Sequence, residues 1–268
     1  MTPYAFVNGE MVPASEANVN ITDIGFLRGY GVFDFFRVID GTPVFLEDYL
    51  DRFERSVKGL HLAMPYSRSY LTEKIYEIIS LNQHALLGIK LLCTGGYSTD
   101  GYTPTDSNVF MLANPFLFHP YEKGLKLMSV DHQRDMFHIK SLNYLQPISL
   151  LPKMKAIHAD DVLYHKSGFV SESSRSNVFM VKNNTLITPS EGILEGVTRK
   201  RIIAFATEIM PIEVRPVTPA EIWNSDEVFL TASTKRISPV TAIDDYSFES
   251  GPYTRLLYQR LLEEEKKS

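Results

Sequence analysis

Residues 114–124 constrain this chain most. Pro115, Pro120 and Gly124 fall within them and interrupt both strand and helix patterns, so the segment reads as a linker. A chain of 268 residues has room for one large or two smaller domains. A boundary near His119 gives a small N-terminal α+β part, residues 1–118, and a larger C-terminal α+β part, residues 119–268. No internal repeat and no low-complexity segment offers another division.

The first part opens with a hairpin. Tyr4-Ala5-Phe6-Val7 and Met11-Val12 flank Asn8-Gly9, a strong short turn signal. Three glycines then fall in the seven residues Gly25 to Gly31, with Arg28 the only charge among them, which implies tight backbone or close approach to another group. Phe35-Phe36-Arg37-Val38-Ile39 reads as a strand. Leu46, Leu50, Phe53, Val57 and Leu60 recur at helical spacing, as do Leu71, Ile75, Ile78 and Ile79, and each set predicts a helix with a buried stripe. Arg52 lies just off the first stripe. Strands over 87–94 and 109–113 enclose a glycine-rich loop that contains Tyr102.

The second part starts with a strand at 125–130, followed by the lysine-bearing stretch Ile139-Lys140-Ser141. Helix is expected over most of 144–159, with Pro147 in a first turn and Pro152 ending or kinking it. Strands are expected at 161–165, 169–170, 176–181, 185–188 and 227–230. Helices are expected at 198–210, from Thr218-Pro219 through Trp223, and from Pro252 onward, the last closing on a solvated run, Glu263 to Lys267.

Lys140 stands between apolar residues near mid-chain. Such a lysine is either a solvated surface group or one held in an apolar site. Desolvation in an apolar site lowers the pKa of the amine, which can then attack a carbonyl and form a Schiff base. The two readings separate on whether the chain also supplies a phosphate cradle and a carboxylate for a pyridinium nitrogen. Gly196-Val197-Thr198 offers unpaired amides at a helix start, and Thr231-Ala232-Ser233-Thr234 offers more amides and hydroxyls at a strand end. Arg52 can add a bidentate cation. Glu172, among small residues between apolar strands, is the candidate carboxylate.

These residues carry a resemblance. Arg28-Gly29-Tyr30-Gly31-Val32-Phe33-Asp34, Arg52, Ile139-Lys140-Ser141-Leu142-Asn143, Val170-Ser171-Glu172, Ser176-Asn177-Val178-Phe179, Leu194-Glu195-Gly196-Val197-Thr198-Arg199 and Ile237-Ser238-Pro239-Val240 resemble, in order, the fold-type IV (class IV) pyridoxal-phosphate aminotransferases. That group holds branched-chain aminotransferases, D-amino acid aminotransferases and aminodeoxychorismate lyase. The resemblance implies a two-domain α+β fold, with a small α/β N-terminal domain, a larger β-barrel-like C-terminal domain and the cofactor site between them. It implies pyridoxal 5'-phosphate as cofactor, Lys140 as the Schiff-base lysine and Glu172 on the pyridine nitrogen. It assigns Arg52, Val197, Thr198, Ala232 and Ser233 to the phosphate. It also implies a homodimer and a ping-pong exchange between an amino acid and a 2-oxo acid.

Within the group the chain fits no standard pattern. The Arg-x-His carboxylate clamp of the usual D-amino acid enzymes is replaced by Asp100-Gly101-Tyr102. The tyrosines typical of either group fall where this chain has Phe33 and Phe169. Arg28 and Arg175 are expected to hold the substrate carboxylate instead, with Lys235 and Arg236 as a second basic pair. That favours a D-amino acid aminotransferase. A branched-chain L-amino acid enzyme, with a pocket of Phe33, Tyr30 and Tyr102, is the first alternative. A lyase and a non-catalytic binding protein come after it.

The bulk numbers exclude other classes. A net charge of -5 gives no reason to expect nucleic acid. The one cysteine, Cys93, lies in an apolar run and reads as core. The seven histidines show no paired metal-ligand spacing, so no metal is expected. No apolar run approaches the roughly 20 residues that span a bilayer, and no leader pattern is seen, so the cytoplasm is the expected location.

Overall fold

The computed structural model describes residues 3–268. The chain forms two compact units. One contains the chain up to Leu117 together with Ile139–Asn143, and the other contains Phe118–His138 and Tyr144–Lys267. The lysine-bearing stretch therefore packs with the first unit, whereas the reading from sequence put it in the second part.

The first unit contains β1 (Tyr4–Val7), β2 (Glu10–Pro13), α1 (Ile24–Arg28), β3 (Gly31–Ile39), β4 (Thr42–Pro43), α2 (Leu46–Gly59), α3 (Arg68–Leu81), β5 (Leu86–Thr94) and β6 (Asn108–Pro115). Its strands form an antiparallel sheet in the order β2-β1-β6-β5-β3-β4. Asn8 and Gly9 take positive φ, 47° and 105°, and close the first hairpin as expected. The helical stripes lie inward: Leu50 and Phe53 of α2, and Ile75 and Ile78 of α3, are at most 1% exposed. Each such burial contributes roughly 1.5–3 kcal/mol.

One edge of β3 pairs with β5 along its whole length. The other pairs with β4 only at Val38 and Ile39. Residues 140–142 pair with that edge at Gly31–Phe33. Phe33 N–H donates to the Lys140 carbonyl at 3.0 Å, Leu142 N–H donates to the Gly31 carbonyl at 2.9 Å, and Val32 bridges Ser141. Backbone pairing with β3 is thus what draws the lysine stretch into this unit. Ile139 seals it against α2, and a Cβ on Gly59 would meet the Ile139 Cδ1 at 2.8 Å, so glycine is needed there.

The second unit contains β7 (Leu125–Asp131), α4 (Leu145–Ser149), α5 (Leu151–Ala156), β8 (Asp161–Lys166), β9 (Phe169–Ser173), β10 (Asn177–Lys182), β11 (Thr185–Pro189), α6 (Val197–Ala206), β12 (Ile212–Arg215), α7 (Pro219–Trp223), β13 (Glu227–Ala232), β14 (Arg236–Ile243), β15 (Tyr246–Ser247) and α8 (Pro252–Glu265). Its sheet runs β12-β11-β10-β13-β14-β7-β8-β9, and β9 pairs back onto β10. That last pairing closes a barrel, the architecture the resemblance implied. The closing pair is Glu172 opposite Asn177, so the candidate carboxylate sits on the seam. Val178, Leu230 and Val240, each 0% exposed, face the barrel core. Phe179 and Phe229 are cross-strand partners whose rings stack at 5.1 Å, a pairing worth roughly 0.5–1.5 kcal/mol beyond burial.

The helix expected over 144–159 breaks at Leu150, and Pro152 stands in the first turn of α5, where its missing N–H costs nothing. The chain end differs from expectation. α8 continues through Glu265, which is 7% exposed and ion-paired to Arg236. The charged run is therefore only partly solvated.

Candidate active site

In the first unit Phe33, Arg52 and Lys140 lie on β3, α2 and the 139–143 segment. The Lys140 N–H donates to the Ser56 hydroxyl at 3.2 Å, and its ammonium lies 4.7 Å from the centre of the Phe33 ring. The lysine is half-buried against an aromatic face. Arg52, one helical turn before Ser56 on α2, is 5% exposed. Its guanidinium meets Asp34 in a fork, Nε to Oδ2 at 2.9 Å and Nη2 to Oδ1 at 2.6 Å. Asp34 was not singled out from sequence. The available signal was an acid in the apolar strand Val32 to Val38, where a buried charge needs a partner.

Arg28 ends α1 and is exposed. It donates to the Leu27 carbonyl and makes no ion pair among the described residues. The fully buried Asp23 anchors this helix. One carboxylate oxygen accepts from Gly25 N–H, and the other accepts from the Thr94 hydroxyl and the Asn108 amide, all at 2.7 Å. Asp23 too was missed. Tyr102 is 81% exposed at a turn built on Asp100. That turn's hydrogen bonds, the Thr103 N–H first, hold the Asp100 carboxyl well below the usual carboxylate range.

In the second unit Glu172 is 3% exposed. It accepts from Arg134 Nη1 at 2.9 Å, from Leu194 N–H at 2.9 Å and from the Asn177 amide at 3.4 Å. An arginine and a backbone amide hold the two carboxylate oxygens in a fixed orientation. Arg134 was not picked out from sequence, where it sits 38 residues from its partner. Gly196 precedes α6 without a side-chain cap, because a Cβ there would overlap the Asn177 Oδ1. Val197 and Thr198 begin the helix, both buried. The Thr198 and Thr231 hydroxyls are buried with no hydrogen-bond partner among the described residues. Ala232 ends β13, and Ser233 follows it in the turn to β14; both are half-buried.

Arg175 is exposed in the β9–β10 turn, between the buried Ser174 and Ser176. Lys235 and Arg236 were candidates for the same role, and both are committed elsewhere. Lys235 pairs with Asp161 at 2.7 Å, and Arg236 pairs with Glu265 at 2.7 Å while stacking on Phe118. Burial would raise the Asp161 carboxyl. The Lys235 ammonium and the hydrogen bonds from Lys235, Ser174 and the Val162 N–H hold it below its ordinary value instead. Cys93 is 0% exposed, as its apolar run predicts, and burial pushes its thiol up to about 11.

Residues 31–243 match the model of the class IV amino-transferases. The chain belongs to this family. It is 33% identical over 254 residues to a putative branched-chain-amino-acid aminotransferase of Methanocaldococcus jannaschii, covering 89% of this chain and 87% of that one. It is 29% identical over 255 residues to the D-alanine aminotransferase of Bacillus licheniformis, covering 91% and 89%. Among solved structures, a putative 4-amino-4-deoxychorismate lyase from Legionella pneumophila superposes with a TM-score of 0.88 at 28% identity, over 94% of this chain and 97% of that one.

This class IV aminotransferase is a pyridoxal-phosphate-dependent transaminase. The residues present fit the cofactor. An orphaned hydroxyl at the uncapped start of α6 is a donor that a phosphate would satisfy, and the amides of that first turn favour an anion. A held carboxylate, Glu172, suits a ring nitrogen that must stay protonated. When bound, pyridoxal 5'-phosphate supplies an aldehyde for amino-group exchange and a ring that stores electrons. No helix among the described residues is long and apolar enough to cross a membrane.

Proposed function

We propose that the chain is a D-amino acid aminotransferase that exchanges an amino group between an amino acid and a 2-oxo acid by a ping-pong mechanism. When bound, the cofactor would be held by the Lys140 amine, which would also take and return the proton at the substrate α-carbon. Glu172 keeps the ring nitrogen protonated. Arg52, Val197, Thr198, Ala232 and Ser233 hold the phosphate, with Asp34 fixing the Arg52 fork.

Arg28 and Arg175 bind the substrate carboxylate in this reading. One observation supports it above the rest. Neither arginine makes an ion pair among the described residues, whereas Arg52, Arg134, Arg199 and Arg236 each pair with an acid. An exposed, unpaired guanidinium suits a planar bidentate anion.

The test is the half-reaction of an Arg28→Ala/Arg175→Ala enzyme with D-alanine. Two lost charge-assisted contacts predict an apparent Kd raised by about 10²-fold or more, with a smaller change at saturating amino acid. An unchanged Kd removes the clamp from the account.

A branched-chain L-amino acid enzyme is the second reading. It is favoured by the apolar ring of Phe33 beside the Lys140 ammonium, which suits an aliphatic side chain, and by the similarity to the archaeal putative branched-chain enzyme. In either reading we propose a homodimer. Ile21 and Phe26, 74% and 72% exposed, lie close in sequence to Arg28 and form the kind of apolar surface that a second copy covers.

A further inference from the structure

In the second unit one ammonium joins two candidate-site segments that lie far apart in sequence. Lys235 stands in the turn between β13 and β14, one residue past the Ser233-Thr234 pair, and its N–H donates to the Ala232 carbonyl. Its ammonium donates to Asp161 Oδ2 at 2.7 Å and to the Ser176 hydroxyl at 3.1 Å. The other oxygen of Asp161 accepts from the Ser174 hydroxyl at 2.5 Å and from the Val162 N–H at 2.9 Å. Ser174 and Ser176 are the two neighbours of Arg175. Ser173 N–H also donates to the Ser176 carbonyl at 2.8 Å, which closes the turn beneath that arginine.

All four side chains of the network are buried or nearly so: Asp161 is 1% exposed, Ser176 5%, Ser174 8%, and the Lys235 side chain 12%. A buried ion pair seldom adds net stability over an apolar pair of equal volume, but it fixes geometry. Here one pair touches both the turn that follows Ala232 and Ser233 and the turn that carries Arg175. Its neighbour Arg236, at φ 58°, holds the same hairpin from the α8 side through Glu265.

We infer that Lys235 is a positioning residue: with Asp161 it sets the phosphate-side turn and the Arg175 turn relative to each other, and so links cofactor hold to substrate binding. The inference deepens the proposed function and rests on its assignment of Arg175, Ala232 and Ser233. Arg175 extends into solvent from a turn of three residues, so without the clamp its guanidinium would sample many positions. The Ser233 turn would lose its anchor to the barrel strands at the same time.

The test uses Lys235→Met, the charge-neutral pair Asp161→Asn/Lys235→Met, and Arg175→Ala. The paired variant removes both charges, so no buried carboxylate is left uncompensated and folding is kept. Two quantities are read: the Kd for pyridoxal 5'-phosphate, by absorbance titration of the resolved enzyme, and the split of KM from kcat with D-alanine. We expect about tenfold increases in both Kd and KM, with kcat within about threefold of wild type, in Lys235→Met and in the paired variant. Cofactor Kd and KM within about twofold of wild type in the folded paired variant would overturn the inference. A raised cofactor Kd in Lys235→Met, with KM unchanged both there and in Arg175→Ala, would instead overturn the carboxylate reading of Arg175 and the half of the inference built on it.

Discussion

A Lys140→Ala enzyme is expected to transaminate at least about 10³-fold more slowly than wild type, and to bind pyridoxal 5'-phosphate without the covalent link. The proposed function gives this amine two roles, anchoring the cofactor and moving the α-proton, and alanine removes both. The fold should survive. Residues 139–143 are held by main-chain bonds to β3 and by the buried Ile139, and none of these involves the Lys140 side chain. A melting temperature near wild type combined with lost turnover is the expected pattern, read by thermal melts beside single-turnover kinetics. Near-normal turnover would mean that another amine does the work.

The second large effect belongs to Glu172. Glutamine keeps the shape and the contact with Leu194 N–H but removes the charge proposed to hold a ring nitrogen protonated. Glu172→Gln should lower kcat by roughly 10²–10³, the range seen when one fixed electrostatic partner of the reacting group is lost. Both substitutions take a buried acid from Arg134, so each should destabilise the fold by about 3 kcal/mol or more, and Glu172→Ala the more because it also gives up the contact with Leu194 N–H. The comparison separates electrostatics from structure. If Gln and Ala lower kcat equally while Gln is the more stable of the two, charge carries the effect. If Gln leaves kcat unchanged, Glu172 has no contact with the ring.

Much of the fold was legible because it depends on local pattern. The apolar spacing of α2 and α3, the Asn8-Gly9 turn and the Thr218 cap of α7, where Glu221 completes a capping box, all lie within a few residues of one another. The barrel closure was legible only through the family resemblance, not from local pattern. Glu172 opposite Asn177 is a neighbour pair only because β9 and β10 are brought round by the other strands. β12 escaped notice because its four residues alternate Ile212, Glu213, Val214 and Arg215 after a helix, with too short a run to declare itself.

The site divides in the same way. Lys140, Glu172 and Thr198 stood out by residue type and neighbours. The charges that support candidate residues did not, because each has its partner remote in sequence: Asp34 for Arg52, 18 residues away; Arg134 for Glu172, 38 away; and Asp161 for Lys235, 74 away. The same distance effect misled the reading of the C-terminus. Glu265 belongs to a charge run, and a helix carries it to Arg236, 29 residues back.

The most direct measurement is the visible absorbance of the purified, cofactor-loaded enzyme mixed in turn with D-alanine, D-glutamate, L-leucine and L-glutamate in a single half-reaction. The account predicts that the band of bound cofactor bleaches with the D-amino acids and persists with the L-amino acids. Bleaching with L-leucine and L-glutamate alone would contradict it, and would place this class IV aminotransferase with the branched-chain enzymes.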